Sequence, residues 1–195
     1  FLQTIKASLC IKLKDQMEVQ KMREREEELV KMTFKGLSQV EGLHILAGHI
    51  VERLGAISFY VDKIHYNLLV KILNDRFGIQ VRGGCSCAGT YGHYLLQVSP
   101  SLSKQMTDKI NQGDISSKLG WVRMSIHPTM TDDELLFILD AVKEIVKNIS
   151  CWEKDYRYDS SKNEFINLLS NGKDEEKIKE WFTLNDIAKH TMIEK

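Results

Sequence analysis

The sequence predicts an α+β fold: a small mixed or antiparallel sheet covered on one face by helices, with a long helical segment in front and an appendage behind. Three observations carry this. Short segments alternate apolar and polar residues with a period of two, apolar residues between them recur three or four apart, and some connections read as helices where others read as loops.

From Leu2 to Leu37 the apolar spacing is helical, interrupted by a charged stretch from Lys21 to Glu28, which predicts two helices or one kinked helix. Arg23 to Glu28 reads as a solvated helix face with opposite charges as neighbours. Leu43 to Ala47 suggests an edge strand. Three strands follow: Ala56 to Val61, Ile79 to Arg82 and Trp121 to His127. Their apolar sets are Ile57, Phe59 and Val61; Ile79 and Val81; Val122, Met124 and Ile126. Their other face carries Ser58, Tyr60, Gln80, Arg82, Trp121, Arg123, Ser125 and His127. A helix starting at Asp62 presents Leu69, Ile72, Leu73 and Phe77 and stops at Gly78, a left-handed cap. Another starts at Thr131, which has capping-box spacing to Glu134, and runs a stripe through Leu135, Ile138, Leu139, Val142, Ile145, Val146 and Ile149. Beyond Ile149 the composition turns to Tyr, Asp, Ser, Asn and Lys, with a short helical candidate from Asp174 to Phe182; this appendage either packs back on the domain or docks on a partner.

Bulk composition narrows the function classes. Among 195 residues, Lys plus Arg and Asp plus Glu number 27 each, so nothing in the net charge attracts nucleic acid or an anionic membrane. Four cysteines are too sparse for a disulfide framework, and no segment has signal-peptide order, which points to a reducing, cytoplasmic setting. Apolar runs fall far short of the roughly 18 residues that suggest a spanning helix. The chain opens at Phe1-Leu2-Gln3-Thr4 already in helical spacing and without an initiator methionine, so it reads as beginning inside an element whose partners lie elsewhere.

The chemistry concentrates in Val81-Arg82-Gly83-Gly84-Cys85-Ser86-Cys87-Ala88-Gly89-Thr90-Tyr91-Gly92-His93, read as an exposed loop. Its four glycines permit close backbone approach, and its two thiols sit near a fixed positive charge. A neighbouring cation or imidazolium favours the reactive thiolate, and Arg82 and His93 are the local candidates. Three other readings stand beside the catalytic one: a zinc site using Cys85, Cys87 and His93, a vicinal redox couple, and a structural loop with buried thiols. Cys10 and Cys151 fall in helical patterns, where small buried side chains are the default.

Val81-Arg82-Gly83-Gly84-x-x-Cys87-Ala88 resembles the reactive loop of cysteine desulfurases and selenocysteine lyases within the class V aminotransferases, a fold-type-I family dependent on pyridoxal phosphate (PLP). Val122-Arg123-Met124-Ser125-Ile126, followed by the Thr-x-x-Glu helix start, is similar to the family strand whose arginine holds the substrate carboxylate. Phe1 to Ala7 resembles the helix entering the family's C-terminal small domain. The resemblance runs to about Ile149. It implies Cys87 as the catalytic thiol, preferred over Cys85 because Ala88 follows it, Arg123 as carboxylate clamp and Arg82 as a second substrate-binding cation. Cys85, Ser86, Tyr91, His93 and His127 are candidate site-lining residues, with a structural role the commoner one for a strand histidine such as His127 and loop packing for Tyr91 and His93. Cys85 and Ser86 stand where related loops often carry histidines.

The resemblance further implies removal of sulfur or selenium from an amino acid to give alanine and an enzyme persulfide, a homodimer in the intact protein, and a sulfur-acceptor protein as partner. No Ser-x-His-Lys element for the Schiff base occurs in the chain, so the cofactor is expected on an upstream large domain and the isolated chain is expected to be inactive. The domain reading is therefore 1–150 as small domain and 151–195 as a partly helical extension. Two alternatives remain open: another class V reaction on an amino acid, and a non-catalytic module that carries sulfur or metal on its thiols.

Overall fold

The computed structural model describes residues 1–85, 89–116 and 118–170. The predicted α+β class holds. Helices α1 (Leu2–Gln16) and α2 (Val19–Leu37) confirm the two-helix reading, with the break at Glu18, whose φ of 57° leaves the helical region. Strands β1 (Leu43–Ile45) and β2 (Ala56–Val61) form an antiparallel pair, α3 (Tyr66–Phe77) follows, and β3 (Arg82–Gly84) leads into α4 (Gly89–Leu95) and α5 (Pro100–Asn111). Strand β4 (Trp121–Ser125) precedes the long α6 (Asp132–Trp152), and a hairpin of β5 (Tyr156–Asp159) and β6 (Glu164–Asn167) ends the described part. The main sheet is wholly antiparallel in the order β1-β2-β4-β3.

One sheet face is buried. Ile57, Phe59, Val61, Val122 and Met124 join Leu29, Leu37, Leu69, Ile72, Leu73, Leu135, Leu139, Val142 and Ile145 in a single core under α2, α3 and α6. The apolar stripes predicted for α3 and α6 are the stripes that pack. Thr131 caps α6 as expected: its hydroxyl accepts from the Glu134 amide at 3.2 Å while Glu134 accepts from the Thr131 amide at 2.8 Å. The charged run on α2 is only in part the solvated face expected: Arg23 bonds Glu27 along the helix, but Arg25, Glu26 and Glu27 are half-buried, Arg25 reaching Asp132 and the Met130 carbonyl and Glu26 accepting from the Gly55 amide.

Several expectations need correction. The third strand is Arg82–Gly84, not Ile79 to Arg82, because the Ile79 amide is spent on the Leu73 carbonyl as the chain leaves α3 through Gly78 (φ 67°). Helix α3 starts at Tyr66, not Asp62: Val61 bridges Ile64, and the His65 ring accepts from the Asn67 amide as the cap. Histidine is not a usual capping residue, which hid the true start. The segment read as loop to His93 becomes helix α4 from Gly89. Cys10 and Cys151 are exposed, Cys10 on a helix that buries nothing and Cys151 in the last turn of α6. Helix α1, whose apolar residues Leu2, Ile5, Leu9 and Leu13 are all exposed, buries none of its length.

The described part of the appendage packs back on the domain. Asn167 Nδ2 donates to Asp75 Oδ2 at 2.9 Å, and Arg76 on α3 pairs with Asp155 while stacking over the Trp152 ring at 4.3 Å. The helical candidate from Asp174 to Phe182 lies outside the described residues. No helix among the described residues is long and apolar enough to cross a membrane.

Candidate active site

The alternation that buries Val122 and Met124 turns Arg123 and Ser125 to the open face of the sheet, where both are exposed. Strand β3 pairs antiparallel with β4 so that Arg82 stands directly opposite Arg123. Two like charges at facing positions of a ladder repel each other. Among the described residues neither guanidinium has a carboxylate partner, so the pair is an unmet demand for an anion. A shallow cavity of about 420 Å³, lined by Gln80, Val81, Arg82, Arg123 and Ser125, lies over them. Arginine's planar fork suits a carboxylate there.

The path toward the thiols is shaped by close packing. A Cβ on Gly83 would lie 2.8 Å from Asn67 Oδ1 and 3.0 Å from Val70 Cγ2, so only glycine lets α3 lie this near to β3. Beyond it Cys85 is half-buried. Helix α4 crosses the same end of the sheet, since a Cβ on Gly92 would meet the Trp121 ring at 3.2 Å and Cys85 Cβ at 3.5 Å. Trp121 is therefore buried under α4 instead of open beside Arg123, which corrects its place on the polar face.

The other expected residues fall at different distances from this pair. His93 is half-buried, with Nδ1 2.7 Å from the Ser103 hydroxyl, and it lines a small void of about 100 Å³ with Cys85 and Gly92. Tyr91 is exposed and stacks on Tyr94. His127 closes a local turn, its Nδ1 2.7 Å from the Thr129 hydroxyl and accepting from the Thr129 amide. Ser86 and Cys87 lie outside the described residues. Arg82, Arg123 and Cys85 are thus brought to one edge of the sheet, while Tyr91, His93 and His127 are occupied by partners of their own.

A second, larger cleft of about 900 Å³ opens on the other side of β3. It is bounded by Arg82 to Cys85, by Asn67 and Asn74 of α3, by Lys118, and by Lys162 to Phe165 at the hairpin tip. The residues that close it, Tyr66, Lys118, Asn163 and Phe165, were not singled out from the sequence. No local motif marks them, because they meet only through the docking of the hairpin. Burial pushes the Tyr66 hydroxyl above the usual phenol range, and the nearby Cys85 adds to this, against the opposing bond from Asn163. Burial likewise pushes His65 below the usual imidazole range. No three of His, Cys, Asp or Glu gather into a metal-holding group among the described residues.

The antiparallel sheet thus carries helices on one face and, on the other, two facing arginines, Arg82 being on the strand that leads to Cys85. The model of the aminotransferase class-V family matches residues 2–137, and the chain belongs to that family. Its members are in general dependent on pyridoxal phosphate. Among solved structures, the apo form of a cysteine desulfurase from Thermococcus onnurineus NA1 is similar in fold, with 24% identity and a TM-score of 0.50. That likeness covers 71% of this chain but 29% of the desulfurase. Comparison with curated proteins finds no match.

The groups around the arginine pair, Gln80 and Ser125, include no lysine for a Schiff base and no carboxylate for a pyridine nitrogen. The arginine forks present there match a planar or tetrahedral oxyanion.

Proposed function

We propose that this chain forms the substrate side of a cysteine desulfurase-like enzyme, and the observation that carries this is the facing pair Arg82 and Arg123 next to the Cys85-x-Cys87 loop in a class V chain. In this reading residues 1–150 are the small domain and 151–195 an extension. Arg123, on the central strand β4, clamps the substrate carboxylate, and Arg82 neutralises its remaining charge. Anchoring the carboxylate on a sheet gives the amino acid a fixed orientation, so its side chain is held toward the loop. Cys87 is the nucleophile. Its thiolate forms a bond to the substrate sulfur as the substrate's carbon–sulfur bond breaks, leaving an enzyme persulfide, and the carbon takes a proton to give alanine. Pyridoxal phosphate, when bound, supplies the electron sink such bond cleavage requires. This chain provides the clamp and the thiol, and the isolated chain is inactive.

The test is turnover by the intact protein with cysteine and with selenocysteine, following alanine, in parallel with Cys87→Ala and Cys85→Ala. Alanine formation from cysteine that only Cys87→Ala abolishes supports both the reaction and the nucleophile. If neither substrate gives alanine, or both variants keep full activity, the reaction belongs among other class V transformations of amino acids.

A further inference from the structure

Strand β3 is three residues long, sits at the sheet edge and contains two glycines, so its own ladder is a weak hold on the thiols that follow it. The hold comes from the side. The Tyr66 ring, 7% exposed, is wedged between two strand ends: a Cβ on Gly83 would lie 3.2 Å from its Cδ2, and one on Gly120, just before β4, 2.6 Å from its Cε1 and Cζ. Those strand ends carry Arg82 and Arg123. The free end of the ring is held in turn by the hairpin. Asn163, at the tip between β5 and β6 with φ 54°, donates from Nδ2 to the Tyr66 hydroxyl at 2.7 Å. Its Oδ1 accepts from the Tyr158 hydroxyl at 2.9 Å, and its carbonyl accepts from Asn67 Nδ2, whose own Oδ1 packs against Gly83. Asn163 thus ties the hairpin, through Oδ1 and Tyr158, to the ring that packs behind Gly83 and Gly120, through Nδ2 and Tyr66. The hairpin lies wholly after residue 137, beyond the family match.

We infer that the β5–β6 hairpin is a positioning device for the segment Gly83 to Cys85, in which Asn163 holds Tyr66 against Gly83 and Gly120 and so sets how far Cys85 is shielded. Without Asn163 the Tyr66 hydroxyl must find water, the ring tilts out of its wedge, and the edge strand loosens from β4 at the thiol end. Asn163 and Tyr66 act through the strands and touch no substrate. The bearing of this device on catalysis rests on the function proposed above. Its effect on thiol exposure does not.

The experiment is iodoacetamide labelling of the intact protein, with rates resolved at Cys85 by fragment mass spectrometry and the exposed Cys10 and Cys151 read in the same sample as references. Asn163→Ala and Tyr66→Phe are each expected to speed labelling at Cys85 by about fivefold, the consequence of losing one neutral hydrogen bond that holds a closed state. Because the two act in one chain of contacts, the double variant is expected to label no faster than the faster single. Asn163→Asp, whose carboxylate accepts from the Tyr66 hydroxyl, is expected to restore the slow rate, which a general loss of stability would not allow. Cys10 and Cys151 rates stay constant throughout. Unchanged Cys85 labelling in both single variants, or effects that multiply in the double, overturns the inference. If Asn163→Ala does not fold, Tyr66→Phe and Asn163→Asp decide it, since the first keeps the ring and the second keeps the bond. A protein that makes no alanine but shows these labelling shifts removes the proposed reaction and leaves the device standing.

Discussion

On one face of the sheet Ile57, Phe59, Val122 and Met124 are at most 3% exposed, while on the other Arg82, Arg123 and Ser125 stand in solvent. The two faces share the same strands and backbone hydrogen bonds, and β4 supplies both by simple alternation. The buried face carries the stability, since removal of apolar area from water is what folding gains. The open face keeps two like charges at facing positions, an arrangement that adds nothing to folding and becomes favourable when an anion bridges it. The proposed substrate clamp is thereby placed where folding makes no demand.

Substitutions on the two faces should separate cleanly. Phe59→Ala, which empties a fully buried site at the sheet centre, is expected to lower unfolding free energy by about 3–5 kcal/mol in urea titration. Arg123→Ala should leave the urea midpoint nearly unmoved yet cut kcat/KM of the intact enzyme by roughly tenfold to a hundredfold, the worth of a charge-assisted hydrogen bond to a carboxylate. A midpoint shift as large as that of Phe59→Ala would mean the open face takes part in the core after all. At the start of α6, Thr131→Ala removes a capping box and is expected to cost about 1 kcal/mol with no effect on substrate affinity. It serves as a control for modest destabilisation without chemistry.

The smallest expected effect is on pH dependence, at the seam between α3 and the hairpin. Burial alone would raise the Asp75 carboxyl, but hydrogen bonds from Asn167 and Asn74 and the charge of Lys71 outweigh it and hold the group below its ordinary value. Its contribution is therefore fully present above the unfolded value of about 3.9 and is lost as pH falls through the lower folded value. Hairpin docking should weaken in that acid range, followed by hydrogen exchange of the β5 and β6 amides, and Asp75→Asn should flatten the profile. A profile unchanged in Asp75→Asn would place the acid-sensitive group elsewhere.

The helices α2 and α6, the strands β2 and β4, the Gly78 stop and the Thr131 capping box were legible because each depends on residues within one or two turns of one another. Arg123 was legible on its face for the same reason, alternation within β4, whereas Arg82 was placed on that face from a strand that in fact begins at Arg82. The start of α3 was not, because the cap is a histidine ring following a bridged turn from Val61 to Ile64. The strand at Arg82–Gly84 was displaced from its expected position because pairing with β4, not local alternation, decides which residues join the ladder. Trp121 alternates with Val122 as expected but is covered by α4, a helix that begins in a stretch read as loop.

The sequence alone therefore determined the fold class, the two faces of the sheet and the face on which Arg123 stands, because periodicity and short-range capping are local properties of the chain. Only the tertiary structure decided that Arg82 faces Arg123, that α4 roofs Trp121 and Cys85, and that Asn163 braces Tyr66 across 97 positions of chain. Each of these is a contact between segments with no shared local pattern, formed when burial of apolar surface brings distant elements together and leaves their polar groups to find partners.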